Sequence, residues 1–427
     1  MTAARPNPVP RLAAGLARRV RRPLAWARYR AGRVPLTPLV APPDPPPPCG
    51  LFHEIPVVAQ AHIYNGHSVP YQSMASGPVW PEGATVENWM RHCIYNYAYD
   101  VAPEPPAGPM ERIDRPCVWL GYMHLQFGHL VAEHLTRALW SRHCRPDDLY
   151  LYALPPGRRP GWPDYHFLDL LAWYGLPPAQ LRQVTTPVLA AELRVYPQGE
   201  LLGGAGPSGE YLDLLDRHVA ASGLVPVPSD LLFVTRAGML RHRTGSHAGE
   251  GYLAGLLRRR GVAVLDPVRS GVGAQLAAYA GARRIVFSEG SALHGRQLLG
   301  RLDQDLIVLN RRPGARTAQG VLIPRCRSLR YVEATAASAV PVAGAGDPRV
   351  ADALALYDVP AVLAVFAELG VDLSRDWDEA AYRAAVAADA AVWARGLALA
   401  DRGYQPAALA GLVRSALDRS TGGEAAA

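Results

Sequence analysis

The chain has 427 residues, of which 49% are hydrophobic and 19% are charged, so it is long enough for two or three domains with real cores. Its formal net charge is +7, but all 44 basic residues are arginine, which indicates a bias toward GC-rich codons. No helix-turn-helix, zinc-finger spacing or interleaved aromatic and basic stretch is present, so we expect no nucleic-acid partner.

The five cysteines are widely spaced and form no Cys-x-x-Cys pair, so the sequence predicts neither a disulfide framework nor a zinc site. No apolar run approaches the roughly 18 residues of a membrane span, and the N-terminus lacks an apolar core followed by a cleavage site. These features predict a cytoplasmic protein.

Residues 1–41 form a leader that is rich in arginine and contains no acidic residue. Leu12, Leu16 and Val20 recur at intervals of four, which places them on one face of a helix. Two interpretations stay open. Residues 1–40 are either a basic amphipathic segment on the anionic inner face of a membrane or a disordered tail.

A polyproline linker, residues 42–50, follows the leader. Residues 51–225 then alternate between two kinds of segment. In chain order we predict strand CVWLGYM, helix GHLVAEHLTRALWSRH, strand DLYLYAL, helix DYHFLDLLAWYGL and strand LRQV. This alternation predicts an N-terminal α/β lobe built from parallel strands.

Residues 226–335 predict a second α/β lobe. Its segments are strand DLLFVTR, helix GEGYLAGLLRRRG, strand VAVLDP, helix VGAQLAAYAGA, strand RRIVF, a short helix and strand QDLIVLN. We therefore expect two Rossmann-like lobes that face a cleft. Residues 345–420 are alanine-rich with helical periodicity, and they predict a small helical appendage.

The stretch IVFSEGSALHG leaves a strand of the second lobe through small polar residues. In open parallel sheets, ligands bind beyond the carboxyl ends of the strands. Gly290 lets a ligand approach the backbone, and Ser291 is a good N-cap for the next helix, whose free N–H groups favour an anion. A plain helix start with a serine cap is the alternative.

Arg236 ends the strand LLFVTR of the same lobe, and Arg241 and Arg243 follow it closely. If this strand end neighbours the Gly290 turn, guanidinium groups and a helix N-terminus face each other across a gap of diphosphate size. Solvated surface charge is the alternative, and it suits Arg241 better than Arg236.

The ordered set of residues resembles glycosyltransferase family 61, which includes capsular-polysaccharide-type bacterial transferases. The matching positions are Thr235-Arg236, Arg243, Gly249-Glu250, Pro267, Gln275, Glu289-Gly290-Ser291-Ala292-Leu293-His294 and, in the first lobe, His129 and Glu133. Together they cover about half of the chain. Two departures are Gly249, where the family has asparagine, and Glu289, where many members have histidine.

The resemblance implies a GT-B fold and a metal-independent, inverting hexosyl- or pentosyltransferase of bacterial cell-surface polysaccharide synthesis. The donor would be a nucleotide-diphosphate sugar and the acceptor a glycan or a lipid-linked glycan, with no other cofactor. The first lobe would then be the acceptor side and the second the nucleotide-sugar side. The donor-binding residues would be Arg236, Arg243, Glu250, Glu289, Gly290, Ser291 and His294.

His129 and Glu133 are four residues apart, so both side chains are expected on one helical face. A carboxylate paired with an imidazole can remove the proton of an acceptor hydroxyl. We take these two as the catalytic residues, with Glu133 as the expected base and His129 as its orienting partner; the reverse assignment is the competing interpretation, and Glu250 and Glu289 are further candidates for the base. An ordinary pair on the helix surface is the alternative.

Three rival interpretations receive different support. His124, His129 and His134 recur at intervals of five, about 140° apart on an α-helix, so we expect no metal site there. A dehydrogenase is disfavoured because no Gly-x-Gly-x-x-Gly lies between a strand and a helix. A non-catalytic nucleotide- or glycan-binding scaffold of a polysaccharide assembly complex stays open.

Overall fold

The computed structural model describes residues 34–62, 74–81, 93–94, 97–98, 103–154, 165–242, 245–342, 346, 348–398 and 411–418. Its described part is a mixed α/β structure with two sheets rich in parallel strands, as the sequence predicted. No helix within these ranges is both long enough and apolar enough to cross a bilayer.

The first sheet has the order β2-β1-β9-β6-β7-β8, with β5 paired to β9. Strands β6, β7 and β8 are parallel, whereas β1 runs antiparallel to β2 and β9. Every residue of β6 is buried, as expected for a strand covered on both faces. The strands are β1 Gly50–His62, β2 Met74–Pro78, β5 Glu111–Ile113, β6 Cys117–Tyr122, β7 Leu149–Ala153, β8 Leu181–Gln183 and β9 Val188–Val195; β3 Cys93–Ile94 and β4 Tyr97–Ala98 pair separately.

The second sheet is wholly parallel and has the order β12-β10-β13-β14-β15. The chain passes from β10 to β12 on one side and returns to β13 on the other, so the winding reverses between β10 and β13. A small third sheet has the order β11-β17-β16. The strands are β10 Ser229–Val234, β11 Ser246–Ala248, β12 Ala263–Leu265, β13 Ala282–Ser288, β14 Asp305–Asn310, β15 Ser328–Glu333, β16 Thr335–Ala339 and β17 Leu354–Tyr357.

Helices cover the sheets. The α-helices are α1 Phe127–His129, α2 Ala138–Cys144, α3 Tyr165–Trp173, α4 Gly209–Ala221, α5 Glu250–Arg259, α6 Val272–Gly281, α7 Gln319–Leu322, α8 Val359–Glu368 and α9 Glu379–Ala398, with a last helix at 411–418. A π turn, Leu130–His134, continues α1. The 3₁₀ helices are Pro178–Gln180, Ala237–His242, Ser291–Leu298, Ile323–Arg325 and Val350–Asp352.

The single helix predicted over GHLVAEHLTRALWSRH is wrong, because the segment breaks after the π turn. The carbonyl oxygen of Glu133 accepts from Thr136 Oγ1 at 3.1 Å and from Gln198 Nε2 at 2.6 Å. Side chains thus take a hydrogen bond that a continuing helix would make through its backbone. π turns are often found at functional sites.

One apolar core joins helices of both sheets. It includes Trp173 and Leu214 from the first lobe and Leu276, Tyr279 and Leu298 from the second. The indole N–H of Trp173 also donates to the Leu298 carbonyl at 3.2 Å. The described parts around the two sheets, for which we keep the names first and second lobe, are therefore packed together.

The predicted helical appendage is part of the second lobe. Phe366, Tyr382 and Trp393 are buried in one core with Phe233 and Leu257. This region also supplies strand β17, which pairs with β11 and β16. Its apolar side chains are buried against the second sheet and α5, so it is not separate.

The predicted separation between leader and body is wrong for the last residues of the leader. Residues 1–33 lie outside the described ranges. Val34 and Thr37, however, are buried, and the Thr37 amide donates to the Ala172 carbonyl at 3.1 Å. The chain is therefore attached to the first lobe before the polyproline stretch begins.

Candidate functional site

The candidate site lies where strands β10 and β13 end side by side. Val234, the last residue of β10, is in register with Phe287 of β13. Thr235-Arg236 and the Gly290 turn therefore emerge at the same edge of the sheet. The winding reverses between these strands, which is where open α/β sheets bind ligands.

Glu250 connects the ends of β10 and β13 through hydrogen bonds to both. Its Oε1 accepts from Thr235 Oγ1 at 2.7 Å and from the Arg236 amide, and its Oε2 accepts from Ser288 Oγ at 3.0 Å. The side chain is fully buried, and burial raises its pKa. Both oxygens are occupied by the protein, so Glu250 holds the site together and does not reach a ligand directly.

Arg236 extends from the end of β10 to the Gly290 turn. Its Nε donates to the Gly245 carbonyl at 2.6 Å. A Cβ atom on Gly290 would stand 2.0 Å from Arg236 Nη1, so any larger residue there would force the guanidinium to move. Burial lowers the pKa of Arg236, as expected for a cation removed from water.

The turn after β13 differs from its prediction in one respect. Ser291 was predicted to be the N-cap of the next helix. The N-cap of the 3₁₀ helix Ser291–Leu298 is instead Gly290, which has no side chain to bond the helix N-terminus. A Cβ atom on Gly128 would lie 3.1 Å from Ser291 Oγ and 3.3 Å from His294 Cδ2. The start of α1 in the first lobe thus touches the turn of the second.

His294 is buried on the inner side of this contact. Its Nδ1 lies 2.6 Å from Gln297 Oε1, and burial lowers its pKa. The charges of Glu133 and His129 act on its ring with smaller effects. His294 is therefore close to the predicted catalytic pair.

His129 and Glu133 form a hydrogen-bonded pair, with His129 Nδ1 2.6 Å from Glu133 Oε1. The side chain of His129 is 27% exposed, whereas that of Glu133 is 0% exposed. The imidazole thus stands between the carboxylate and solvent. Because Nδ1 faces Glu133, any proton exchange with a substrate would take place at Nε2.

The prediction that His124, His129 and His134 point in different directions is wrong. His124 precedes the helix, and its ring centroid lies 5.2 Å from that of His129 and 6.3 Å from that of His134. The α-helical spacing of about 140° does not apply, because His124 is in a loop and the other two are separated by a π turn. Among the described residues, no group of three or more His, Cys, Asp or Glu is placed to hold a metal ion.

Glu289 faces the residues that follow β14. Its Oε2 accepts from the amides of Arg311 and Arg312 at 2.9 and 2.8 Å, and its Oε1 accepts from Arg312 Nε at 2.6 Å. It is 1% exposed. These contacts argue against the predicted donor contact.

Two basic residues that the sequence reasoning missed follow β14. Arg311 is 5% exposed, and burial lowers its pKa to about 10, with a further effect from Arg236. Arg312 lies beside it and is paired with Glu289. The signal was available in the sequence, because Arg311 and Arg312 directly follow strand QDLIVLN.

Two other predicted basic residues do not add to this arrangement. Arg243 lies outside the described residues, and Arg241 is exposed to solvent.

His247 is a buried neighbour of the site that was not predicted. It stacks on Tyr357 with 4.1 Å between ring centroids, and burial, then Arg311 and Arg236, holds its pKa well below the ordinary value.

The site therefore combines an arginine-rich edge on the second sheet with an imidazole–carboxylate pair from the first lobe. The guanidinium groups of Arg236, Arg311 and Arg312 lie near three buried carboxylates, those of Glu250, Glu289 and Asp352. Guanidinium groups clustered at neighbouring strand ends suit an anionic ligand. No protein-family model matches the chain, and no curated protein is similar enough to it to indicate a family.

Proposed function

We propose that the chain is a glycosyltransferase that moves a sugar from a nucleotide-diphosphate donor to a glycan or lipid-linked acceptor. The observation that carries the proposal is the contact of Gly128 with Ser291 and His294. It brings the His129–Glu133 pair next to the turn that faces Arg236. A proton acceptor and an anion-binding edge are the two parts that metal-independent sugar transfer needs.

The second sheet would bind the diphosphate. Arg236 contributes a desolvated cation, and its guanidinium packs directly against the backbone of Gly290. A hydrogen bond to a charged group contributes about 1.5–3 kcal/mol. Arginine and backbone groups can thus neutralise the leaving diphosphate without a metal ion.

The first lobe would supply the base. As the acceptor oxygen attacks the anomeric carbon, its proton passes to Nε2 of His129, and the bond from that carbon to the diphosphate breaks. Glu133 accepts from Nδ1 and orients the imidazole, which is the role its complete burial favours. Of the candidates named from the sequence, His129 is therefore our choice as base.

The resemblance to family 61 supports the same assignment and extends it to a GT-B architecture, inversion, and bacterial capsule-type polysaccharide synthesis in the cytoplasm. The departure at Gly249 is compatible with that pattern. Gly249 has a φ of 75° and a ψ of 3°, the left-handed conformation that glycine adopts freely and asparagine more often than most residues.

The test is the release of nucleoside diphosphate from a panel of UDP-, GDP- and TDP-sugars with glycan acceptors. We expect turnover with at least one donor, and we expect it to persist in EDTA. Turnover abolished by EDTA and restored by Mn²⁺ would reverse the metal-independent assignment. Binding of a donor without turnover would favour the scaffold alternative.

A further inference from the structure

The carboxylate of Glu289 bonds the residues that directly follow β14. It accepts two backbone amides and the Nε of Arg312, and Arg312 Nη2 also pairs with its Oε1. This fixes both the backbone at Arg311 and Arg312 and the guanidinium plane. A side chain used in this way orients another residue and leaves no oxygen for a donor sugar.

The guanidinium group of Arg312 has one nitrogen, Nη1, that does not contact Glu289 or Thr317. Its Nε and Nη2 bond Glu289 and Thr317, but within the described ranges Nη1 has no partner. The side chain is 37% exposed, in contrast to the buried Arg311 beside it. It also lines a cleft of about 300 Å³ with Thr335 and Ser338, and Arg236 and Gly290 do not line that cleft.

Arg312 belongs to the same edge of the sheet as Arg236. Strands β13 and β14 are parallel neighbours, with Ser288 in register with Leu309. The ends of β10, β13 and β14 therefore lie in a row, and the guanidinium groups of Arg236 and Arg312 are close enough for their charges to interact. Glu250 bonds Thr235, Arg236 and Ser288, and Glu289 is the ion-pair partner of Arg312 through Nε and Nη2, so neither carboxylate contacts Nη1.

We propose that Arg312 binds the phosphate groups of the ligand and that Glu289 is its positioning residue. The inference rests on the proposed function for the identity of that ligand, a nucleoside diphosphate. It reassigns Glu289, because the residue acts through Arg312. It also gives the diphosphate a second cation, at the strand end next to that of the Gly290 turn.

Calorimetric titration with inorganic pyrophosphate, UDP and GDP tests this proposal. The variants are Arg312→Ala, Glu289→Gln and their combination. Arg316→Ala is the matched control, since Arg316 is 43% exposed in the same loop and pairs with Glu333. Arg312→Ala should weaken binding of pyrophosphate and of the bound nucleotide about 10-fold or more, and Arg316→Ala should not.

Glu289→Gln should weaken binding less than Arg312→Ala, and the combined variant should bind no worse than Arg312→Ala alone. A merely structural Glu289 would instead weaken binding further in the Arg312→Ala background. Wild-type affinity in Arg312→Ala would overturn the proposal even if sugar transfer were observed. Loss of pyrophosphate binding in Arg312→Ala, with no transfer from any donor, would support it and count against the glycosyltransferase.

Discussion

His129 lies between Glu133 and solvent, with its Nδ1 2.6 Å from Glu133 Oε1 and side-chain exposures of 27% and 0%, respectively. The arrangement assigns different tasks to the two residues. A group without exposure cannot meet an acceptor hydroxyl unless the protein moves. The imidazole of His129 can meet an acceptor hydroxyl because it is partly exposed. The carboxylate of Glu133 can then stabilise the positive charge that the imidazole gains with the proton.

Replacement of His129 by alanine should therefore lower turnover by about 10²–10⁴-fold, the usual effect of removing a general base. Glu133→Gln should lower it less, and the double variant should be little worse than His129→Ala, because residues acting as a unit are not additive. Initial rates with a saturating donor measure these effects, and substitution of the exposed His53 is the control. Greater loss in Glu133→Gln than in His129→Ala would instead make Glu133 the base.

The sequence predicted this pair because a spacing of four residues determines which side chains share a helical face. It also predicted strands β10 and β13 and the small polar residues at their ends. It could not predict that Glu289 faces Arg312, because that contact depends on which strands are neighbours in the sheet. Spacing likewise did not reveal the break after the π turn, where Thr136 and Gln198 bond the Glu133 carbonyl.

The helical tail was misjudged for a related reason. The buried residues of helix α9 recur at intervals of three and four on one face and are Tyr382, Val386, Ala390, Trp393 and Leu397. Alanine is abundant on the other faces as well, so the apolar stripe is hard to distinguish in the sequence. The burial of these residues depends on Phe233, Leu257 and their neighbours, which lie far away in the sequence.

Arg236→Ala should weaken binding of UDP or GDP by about 10- to 100-fold, corresponding to the loss of one hydrogen bond to a charged group. The guanidinium is removed while Glu250 keeps its bonds to Thr235 and Ser288, so the fold should persist. Calorimetry measures the affinity, and Arg241→Ala, at an exposed position, is the control. Equal losses in the two variants would indicate a general effect of charge and not a site.

A buried histidine pair should make the protein less stable in acid. His143 Nε2 lies 3.0 Å from His218 Nδ1, and burial is the main cause that lowers the pKa of both side chains. The folded protein thus keeps them neutral, whereas the unfolded chain binds protons below the ordinary histidine pKa of about 6.5. The stability is complete above that pH and is lost as the pH falls toward the lowered values.

We expect His143→Gln to reduce this dependence, by up to about 1.4 kcal/mol per pH unit for one proton. The free energy of unfolding in urea, measured from pH 7 to pH 5, gives the slope. His53→Gln, on an exposed stretch of β1, should keep the wild-type slope. An unchanged slope in His143→Gln would show that other groups cause the acid sensitivity.

Glu200 and Arg325 form a buried, two-pronged ion pair that joins the lobes, with Nη1–Oε2 at 2.7 Å and Nη2–Oε1 at 3.0 Å. Their side chains are 2% and 0% exposed, so loss of one partner leaves a charge without compensation in the core. Arg325→Met should therefore cost about 3–5 kcal/mol of unfolding free energy in urea, whereas Arg325→Met with Glu200→Leu should recover much of the loss. The control is Arg327→Ala, two residues away, which removes an exposed ion pair with Asp305. It should lower the free energy of unfolding by less than about 1 kcal/mol. A similar small cost for Arg325→Met would mean that the apolar core, including the contact of Trp173 with Leu298, holds the lobes together without help from this pair.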